Sequence, residues 1–576
     1  MASVVKLFDK AYALHQQGDI SAAILAYQKL LKKKPNHGDA NYLVGTLLAT
    51  QGEDKQALQY LQRAATLMPD SAMVKTNIGL LQKNNGQLAE AEKSFRTALR
   101  LQSNLPEALN NLSALLIAKG APVEAELLAR RCMIQGGSHM NYASIQCANA
   151  LADQGRVEES IELLKQLAER DAHNTTAWDN YLSFLPYSDK FDAAEIYQQH
   201  CRWSKTVDQP QNNSTLHTVD NPIKIGYFSP DFSNHPVGYL MQPLLECHDK
   251  SKVDVYIYHD SSIHDQQTTL LQGNGHHWRE VVGLDDIACH RLIKDDGIDI
   301  LVDLTGHLAN NRISLFAKRA APIQASYLGY CTTTGLDNID YVITDSAFDP
   351  PGEEAFYSEK LLRLERLAFA VQPSSEFPTA LDIRSDAFTF GSFNTLRKLN
   401  SKVLALWIEI LKQSTDSKLI IQAQGLAEPA MTKQLVDRFT SAGVDASRVE
   451  LHGFSDYKGH LQLISECDLT LDPWPWNGHM TTLNTLWMGV PMLTLRGTRR
   501  SGRMGAAILN ELGMDEFIAD SEEAYLQKAT AFSQQRESLL EARSGLRKRI
   551  VDSSLMNGKT LAEAMEQVFQ AMLQAS

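Results

Sequence analysis

The sequence predicts an α-helical solenoid over its first third and two doubly wound α/β domains over the remainder. Three observations carry that prediction. Gly18, Gly52, Gly86, Gly120 and Gly155 recur at steps of 34, 34, 34 and 35 residues, each between two amphipathic stretches. From Ile223 onward β-rich runs alternate with helical ones, the order of a parallel sheet covered by helices. Between the two regimes the run TVDQPQNNSTLHTVDNP loses its periodicity and gathers Pro, Asn, Asp and Ser, the composition of a connection.

The solenoid is justified by what falls at equivalent places in each repeat. Small residues stand where paired helices must touch: Ala11, Gly45 and Gly79 in first helices, Ala23, Ala57, Ala91 and Ala125 in second ones. Tyr27, Leu61 and Phe95 fill the space one turn later, and Pro35 and Pro69 repeat at the same step. A helix-turn-helix period of 34 residues is that of tetratricopeptide repeats. About five cover residues 4 to 174, and a degenerate helical pair to Val207 caps the array, so residues 1–207 form one region and 208–222 a linker. Such arrays present concave surfaces to peptides. Asn77 and Asn111 hold equivalent positions on successive first helices, either as a row of amides for a peptide backbone or as solvated surface.

The α/β part divides in two. KIGYFSPDF, VDVYIYHD, GIDILVDLTGH and DYVITDSAF read as strands of a first domain, residues 223–380. FTFGSF, KLIIQAQG and VELHGF, separated by the helices SKVLALWIEILKQ and MTKQLVDRFTSAG, begin a second, residues 381–576, that ends in a helix. Two such domains side by side form a cleft, and in open α/β sheets ligands sit beyond the carboxyl ends of the strands. Asp231, His235, Asp303, His307, Asn394, Lys398, His460 and His479 all fall near such ends.

Bulk composition narrows the class. With 44% hydrophobic and 21% charged residues the chain reads as globular. A net charge of -13 argues against a general nucleic-acid partner, although Arg496, Arg499, Arg500 and Arg503 are placed to hold one small anion. No apolar run is long enough for a bilayer and no secretory signal opens the chain, so no membrane partner and a cytoplasmic location are expected. Seven cysteines without a C-x-x-C pair predict buried, reduced thiols.

The most informative stretch is LTLDPWPWNGHMTTLNTLWMGVPMLTL, from Leu469 to Leu495. It reads as strand, loop, short helix, strand. Thr481 and Thr482 suit the helix's first turn, Leu483, Leu486 and Trp487 form its apolar stripe, and Gly489 and Pro491 stop it. A helix start carries unpaired N–H groups and partial positive charge, suited to a diphosphate. Gly478 admits the anion, while His479 and the threonines can donate to it or simply cap the helix. His235, between Asn234 and Pro236, reads as a proton acceptor at the cleft edge or as a capping histidine. Asp303 and His307 sit at one strand end, Asp303 equally explained by packing or capping. Lys398 precedes the helix that starts near Ser401 and can neutralise a departing diphosphate, or face water. No Asp-x-Asp triplet occurs in the α/β part, so no metal ligands are evident.

SPDFSNHP, ILVDLTGH, APIQASYLGY, FNTLRKL and NGHMTTLNTLWMGVPML, in this order after the repeats, resemble the O-linked N-acetylglucosamine transferase family. That resemblance implies a GT-B fold of two Rossmann-like domains and an inverting, metal-free transfer of N-acetylglucosamine from UDP-GlcNAc to protein Ser or Thr hydroxyls, with acceptors presented by the repeats and no cofactor beyond the donor. It assigns His235 as catalytic base, Lys398 to the leaving diphosphate, and Asp303 and His307 to further cleft positions. Ser455, Asp456, Tyr457, His460, His479 and Thr481 become nucleotide contacts, and Thr482 and Arg503, from the residues themselves, are kept beside them as candidate anion contacts. Four places depart from the pattern: Asn484 where an acidic residue bonds the ribose, Thr395 for a longer amide, Met480 for a threonine, and Cys331-Thr332 after Gly329-Tyr330. These departures keep other donors, GDP-fucose or UDP-glucose, and a non-catalytic peptide-binding scaffold as alternatives.

Overall fold

Residues 2–210, 222–372 and 387–575 are described by a computed structural model. Most of the linker expected at 208–222, and the boundary expected near residue 380, lie outside the described residues. Contacts divide the chain into two units, Met1–Leu151 and Ala152–Ser576.

In the first unit helices Ala2–Gln16, Ile20–Lys33, Gly38–Thr50, Asp54–Leu67, Ala72–Asn84, Leu88–Leu101, Pro106–Ala118 and Pro122–Gln135 pack as successive hairpins. Gly18, Gly52, Gly86 and Gly120 have φ between +73° and +79°, and at Gly18, Gly52 and Gly86 a Cβ would meet no atom within 4 Å. The left-handed backbone of the repeat turn, not lack of room, therefore demands glycine. Gly45 and Gly79 show the opposite cause: a Cβ would stand 2.7 Å from Leu61 Cγ or 2.7 Å from Phe95 Cε1. Asn77 donates to Thr46 Oγ1 at 2.9 Å and Asn111 to the Glu107 carbonyl at 2.8 Å, so each amide uses a donor within the array.

The second unit opens with helices Val157–Arg170, Thr175–Phe184 and Ala193–Ser204, then two parallel sheets. The first sheet contains β1 (Ile223–Ser229), β2 (Val253–His259), β3 (His277–Glu280), β4 (Ile300–Asp303), β5 (Ile323–Tyr327), β6 (Tyr341–Asp345) and β7 (Lys360–Leu364), in the order β3-β2-β1-β4-β5-β6-β7. The second contains β8 (Phe388–Ser392), β9 (Ser417–Gln422), β10 (Val449–His452), β11 (Leu469–Leu471), β12 (Met492–Leu495) and β13 (Ile518–Ala519), in the order β10-β9-β8-β11-β12-β13. Both orders reverse direction in the middle, between β1 and β4 and between β8 and β11. Those switch points leave crevices at the carboxyl ends of the strands.

Strand β5 and the edge strands β3, β7 and β13 are absent from the sequence reading: β3 is half-exposed along its length and β13 has two residues, while β5 and β7, of five residues each, are short enough to pass for loop or helix. The final helix, Gly558–Ala575, follows the second domain in sequence but belongs elsewhere in space. Leu561, Met565, Phe569 and Met572 bury into the core of the first sheet beside Val237, Met241 and Leu244. Spacing of three and four gives the helix one apolar face, and the first sheet supplies the surface that face needs.

Candidate functional site

The loop after β11 leads into the helix that borders the crevice. Asp472 ends that strand, buried, and its carboxylate accepts from the Gly478 N–H at 2.7 Å and from Thr494 Oγ1 at 2.7 Å. These bonds fold residues 473–479 into a fixed turn before helix Met480–Trp487. No side chain caps that helix, so its first-turn N–H groups stay available to a ligand. His479 Nε2 and Thr482 Oγ1 are buried and find no hydrogen-bond partner among the described residues. Each leaves hydrogen-bonding capacity unused at the helix start. Burial pushes the His479 imidazole down to about 4, so it is neutral near pH 7. Its ring stands edge-on to Phe369, 4.6 Å between centroids, and to Phe348, 6.4 Å.

Lys398 comes to the same turn from the loop after β8. Its Nζ donates to the Asn477 carbonyl at 2.6 Å and to Asn394 Oδ1 at 3.4 Å. Burial lowers the ammonium to about 8, and burial raises Asp472 to about 7, the two groups attracting each other. A partly desolvated cation beside an uncapped helix start attracts a diphosphate more strongly than either would in water.

Across the crevice stands His235, the N-cap of helix Pro236–Cys247. Its Nδ1 accepts from the Val237 N–H at 3.3 Å and lies 3.7 Å from Asp231 Oδ2. Burial holds the imidazole below its usual range and Asp231 above its own. With Nδ1 accepting from Val237 the neutral ring carries its proton on Nε2; a basic Nε2 requires the Nδ1 proton to turn to Asp231 in place of that cap. The crevice itself has about 780 Å³ of space, open to solvent, and is lined by His235 and Tyr239 of the first lobe, Val371, and Tyr457, Met480 and Asn484 of the second.

Residues 203–379 and 376–565 match the profile of glycosyl transferase family 41, and residues 8–72 and 76–132 match the tetratricopeptide repeat. The chain belongs to glycosyl transferase family 41. Among curated proteins this family 41 chain is similar to one from Oryza sativa subsp. japonica named probable UDP-N-acetylglucosamine–peptide N-acetylglucosaminyltransferase SPINDLY. The two are 32% identical over 425 residues, which is 72% of this chain and 46% of the relative. The protein of the same name from Arabidopsis thaliana is 32% identical over 416 residues, 70% of this chain and 45% of the relative. The chain thus spans about half the length of the curated relatives it matches. A solved mutant of the Thermobaculum terrenum O-GlcNAc transferase superimposes with a TM-score of 0.82 and 29% identity, covering 87% of this chain and 97% of that one. A repeat array followed by a two-domain GT-B region is the architecture of the family 41 chain.

The structure gathers Lys398, His479, Thr481 and Thr482 at one helix start, with His235, Tyr457, Met480 and Asn484 around the adjoining crevice. Tyr457 OH donates to Asn484 Oδ1 at 3.4 Å. Asp456 caps helix Tyr457–Ser465 by accepting from Gly459 N–H at 2.8 Å, and Thr395 is exposed beside Lys398.

Other predicted residues are placed differently. His307 is a correction: its side chain is fully buried, one ring nitrogen 2.8 Å from Asp179 Oδ1 and the other 2.8 Å from the Thr334 carbonyl. With both nitrogens occupied it pins helix Thr175–Phe184 to the first sheet rather than facing the crevice. Asp303, also buried, accepts from the Thr305 and Gly306 N–H groups at 3.1 and 2.7 Å and shapes the turn that carries His307. Arg503 is a second correction, because its guanidinium donates to Glu353 at 2.8 Å and to the Phe348 carbonyl at 3.0 Å. Arg496 pairs with Asp520, Arg499 binds the Phe191 and Ser188 carbonyls, and Arg500 lies 3.2 Å from Asp349. Arg496, Arg499 and Arg503 are thus tied to neighbouring groups, whereas Arg500 Nε and Nη1 are buried with no hydrogen-bond partner among the described residues. None of the seven cysteines forms a disulfide; five are buried, Cys201 is half-buried and Cys247 is exposed.

Gln422 and Asp472 were missed. Gln422 ends β9, where its amide donates to Ser455 Oγ at 2.7 Å and its carbonyl meets His460 Nδ1 at 2.7 Å. A polar residue closing an otherwise apolar, buried strand was the available signal.

Proposed function

We propose that this chain is a protein glycosyltransferase that transfers N-acetylglucosamine from UDP-GlcNAc to Ser or Thr hydroxyls with inversion and without a metal. The carrying observation is the Lys398 ammonium held beside an uncapped helix start whose His479 Nε2 and Thr482 Oγ1 are buried without partners. In this reading the diphosphate occupies that cradle, and Lys398 and the first-turn N–H groups hold the charge that builds as the sugar leaves. Tyr457 and His460, steadied by Gln422, take the base, and Asn484 bonds the ribose with an amide in place of a carboxylate. His235 accepts the proton of the incoming hydroxyl at Nε2 once its Nδ1 gives up the Val237 N–H and turns a proton to Asp231. The repeats present the acceptor. The names of the curated relatives and of the solved neighbour support donor and acceptor class.

Calorimetry of the purified chain with UDP and GDP tests the donor. UDP binding with no GDP binding is expected; GDP alone would replace the donor by a guanosine diphosphate sugar. Retained peptide binding with neither nucleotide bound, and no donor hydrolysis, would establish a scaffold instead, the reading that Asn484 and Met480 favour.

A further inference from the structure

A second cluster with ligand chemistry lies away from the diphosphate cradle, at the carboxyl ends of β2 and β3. The parallel register sets His259 opposite Glu280, and the loop after β2 returns His264 to the same spot. One donor atom from each of the three lies within 4.8 Å of the others. His264 Nε2 is 3.8 Å from Glu280 Oε2, and the two imidazole centroids are 5.4 Å apart.

His259 shows why this arrangement points to a ligand. The residue is fully buried. Its Nε2 is 3.1 Å from the Ile263 carbonyl, which can only accept, so the proton is on Nε2 and a lone pair is left on Nδ1. That Nδ1 is buried with no hydrogen-bond partner among the described residues. An orphaned lone pair in a protein interior calls for a partner. Glu280 is prepared in the same way, its Oε1 accepting from Trp278 Nε1 at 2.6 Å. An imidazole whose second nitrogen donates to a carbonyl, and a carboxylate oriented by a second donor, are the outer supports that metal ligands carry.

We propose that His259, His264 and Glu280 bind a divalent transition-metal ion, Zn²⁺ by preference, with water completing the shell. Two histidines and a carboxylate form a borderline donor set suited to it. Bonds of about 2.0–2.1 Å place neighbouring ligand atoms about 3.4 Å apart, so the cluster contracts by rotating His264 and Glu280, whose side chains are 49% and 41% exposed. The ion would fasten the loop between β2 and helix Gln266–Gln272. Asp265 in that loop accepts from the Asn234 N–H at 2.6 Å, next to His235, so the site stiffens the support of the proposed base without touching the reaction.

Tag-free full-length protein is titrated with CoCl₂ while visible absorption is followed, then with competing ZnCl₂. One equivalent should give a ligand-field band that Zn²⁺ abolishes, and Zn²⁺ should raise the melting temperature. His264→Ala and Glu280→Gln should each weaken binding by more than about tenfold, the loss that removal of even an outer support brings, with metal-free melting unchanged. Absence of the band at one equivalent, or unaltered binding in both variants, overturns the site. The readout is independent of transferase activity, so it stands or falls separately from the proposed function.

Discussion

Replacing Lys398 by methionine keeps the stem and removes the charge. The ammonium sits at the turn that holds Asn477 and Gly478, its Nζ fixed by the Asn477 carbonyl at 2.6 Å. A unit of charge developing on a leaving oxygen about 4 Å from Nζ gains about 4 kcal/mol at an effective dielectric of about 20. At about 1.4 kcal/mol per tenfold, that is about a 10³-fold fall in kcat. Only interactions stronger in the transition state than in the ground state accelerate the step. UDP binding should therefore weaken far less than turnover. The assay pairs UDP release from UDP-GlcNAc with an acceptor protein against calorimetric binding of UDP, with thermal melting as the check on folding. Turnover within about threefold of wild type, in an assay that resolves wild-type turnover, would refute an electrostatic role for Lys398. A variant that loses UDP binding and kcat/KM while keeping kcat would place Lys398 in ground-state binding only.

Further outcomes follow from the same geometry. Since burial lowers Lys398 to about 8, the cation is lost as pH rises through that value, and kcat/KM should fall above about pH 8. Bound diphosphate raises the lysine again, so the basic limb of kcat should lie higher; a flat kcat/KM from pH 7 to about 9.5 would contradict this. Burial holds His235 below its usual range, so the acid limb should lie under about pH 6.5. His235→Ala should lower kcat about 100-fold or more with an unchanged urea midpoint, and an unchanged kcat would remove it as the base. His307→Ala should cost about 3 kcal/mol in urea unfolding, because it strips the partner from Asp179 and empties the space beside Trp203, 4.3 Å between ring centroids; a loss under about 0.5 kcal/mol would contradict the pin. Gly478→Ala would put a Cβ 2.8 Å from Thr482 Oγ1 and 3.2 Å from Asp472 Oδ1. UDP affinity should fall by about tenfold or more as the cradle fills, about 1.4 kcal/mol, and full affinity would exclude close approach of the diphosphate there.

The chain's local periods determined much of this protein. Glycines at a 34-residue step require turns with positive φ, and the structure gives Gly18, Gly52, Gly86 and Gly120 that backbone. Strand-loop-helix order around Leu469–Leu495 was legible because hydrophobic spacing and helix stops act within a few residues. Lys398 and His479 could be referred to one crevice because parallel sheets put their loops at a common end. Partner identity is different, since a charge has the same letter whether it is free or paired. Only the tertiary structure showed His307 held by Asp179, 128 residues away, and Arg503 held by Glu353, 150 residues away. Gln422 under the proposed base site, the last helix in the first lobe's core, and the meeting of His259 with Glu280 are of the same kind. Each depends on two segments arriving together, which packing of the whole chain decides and no local pattern records.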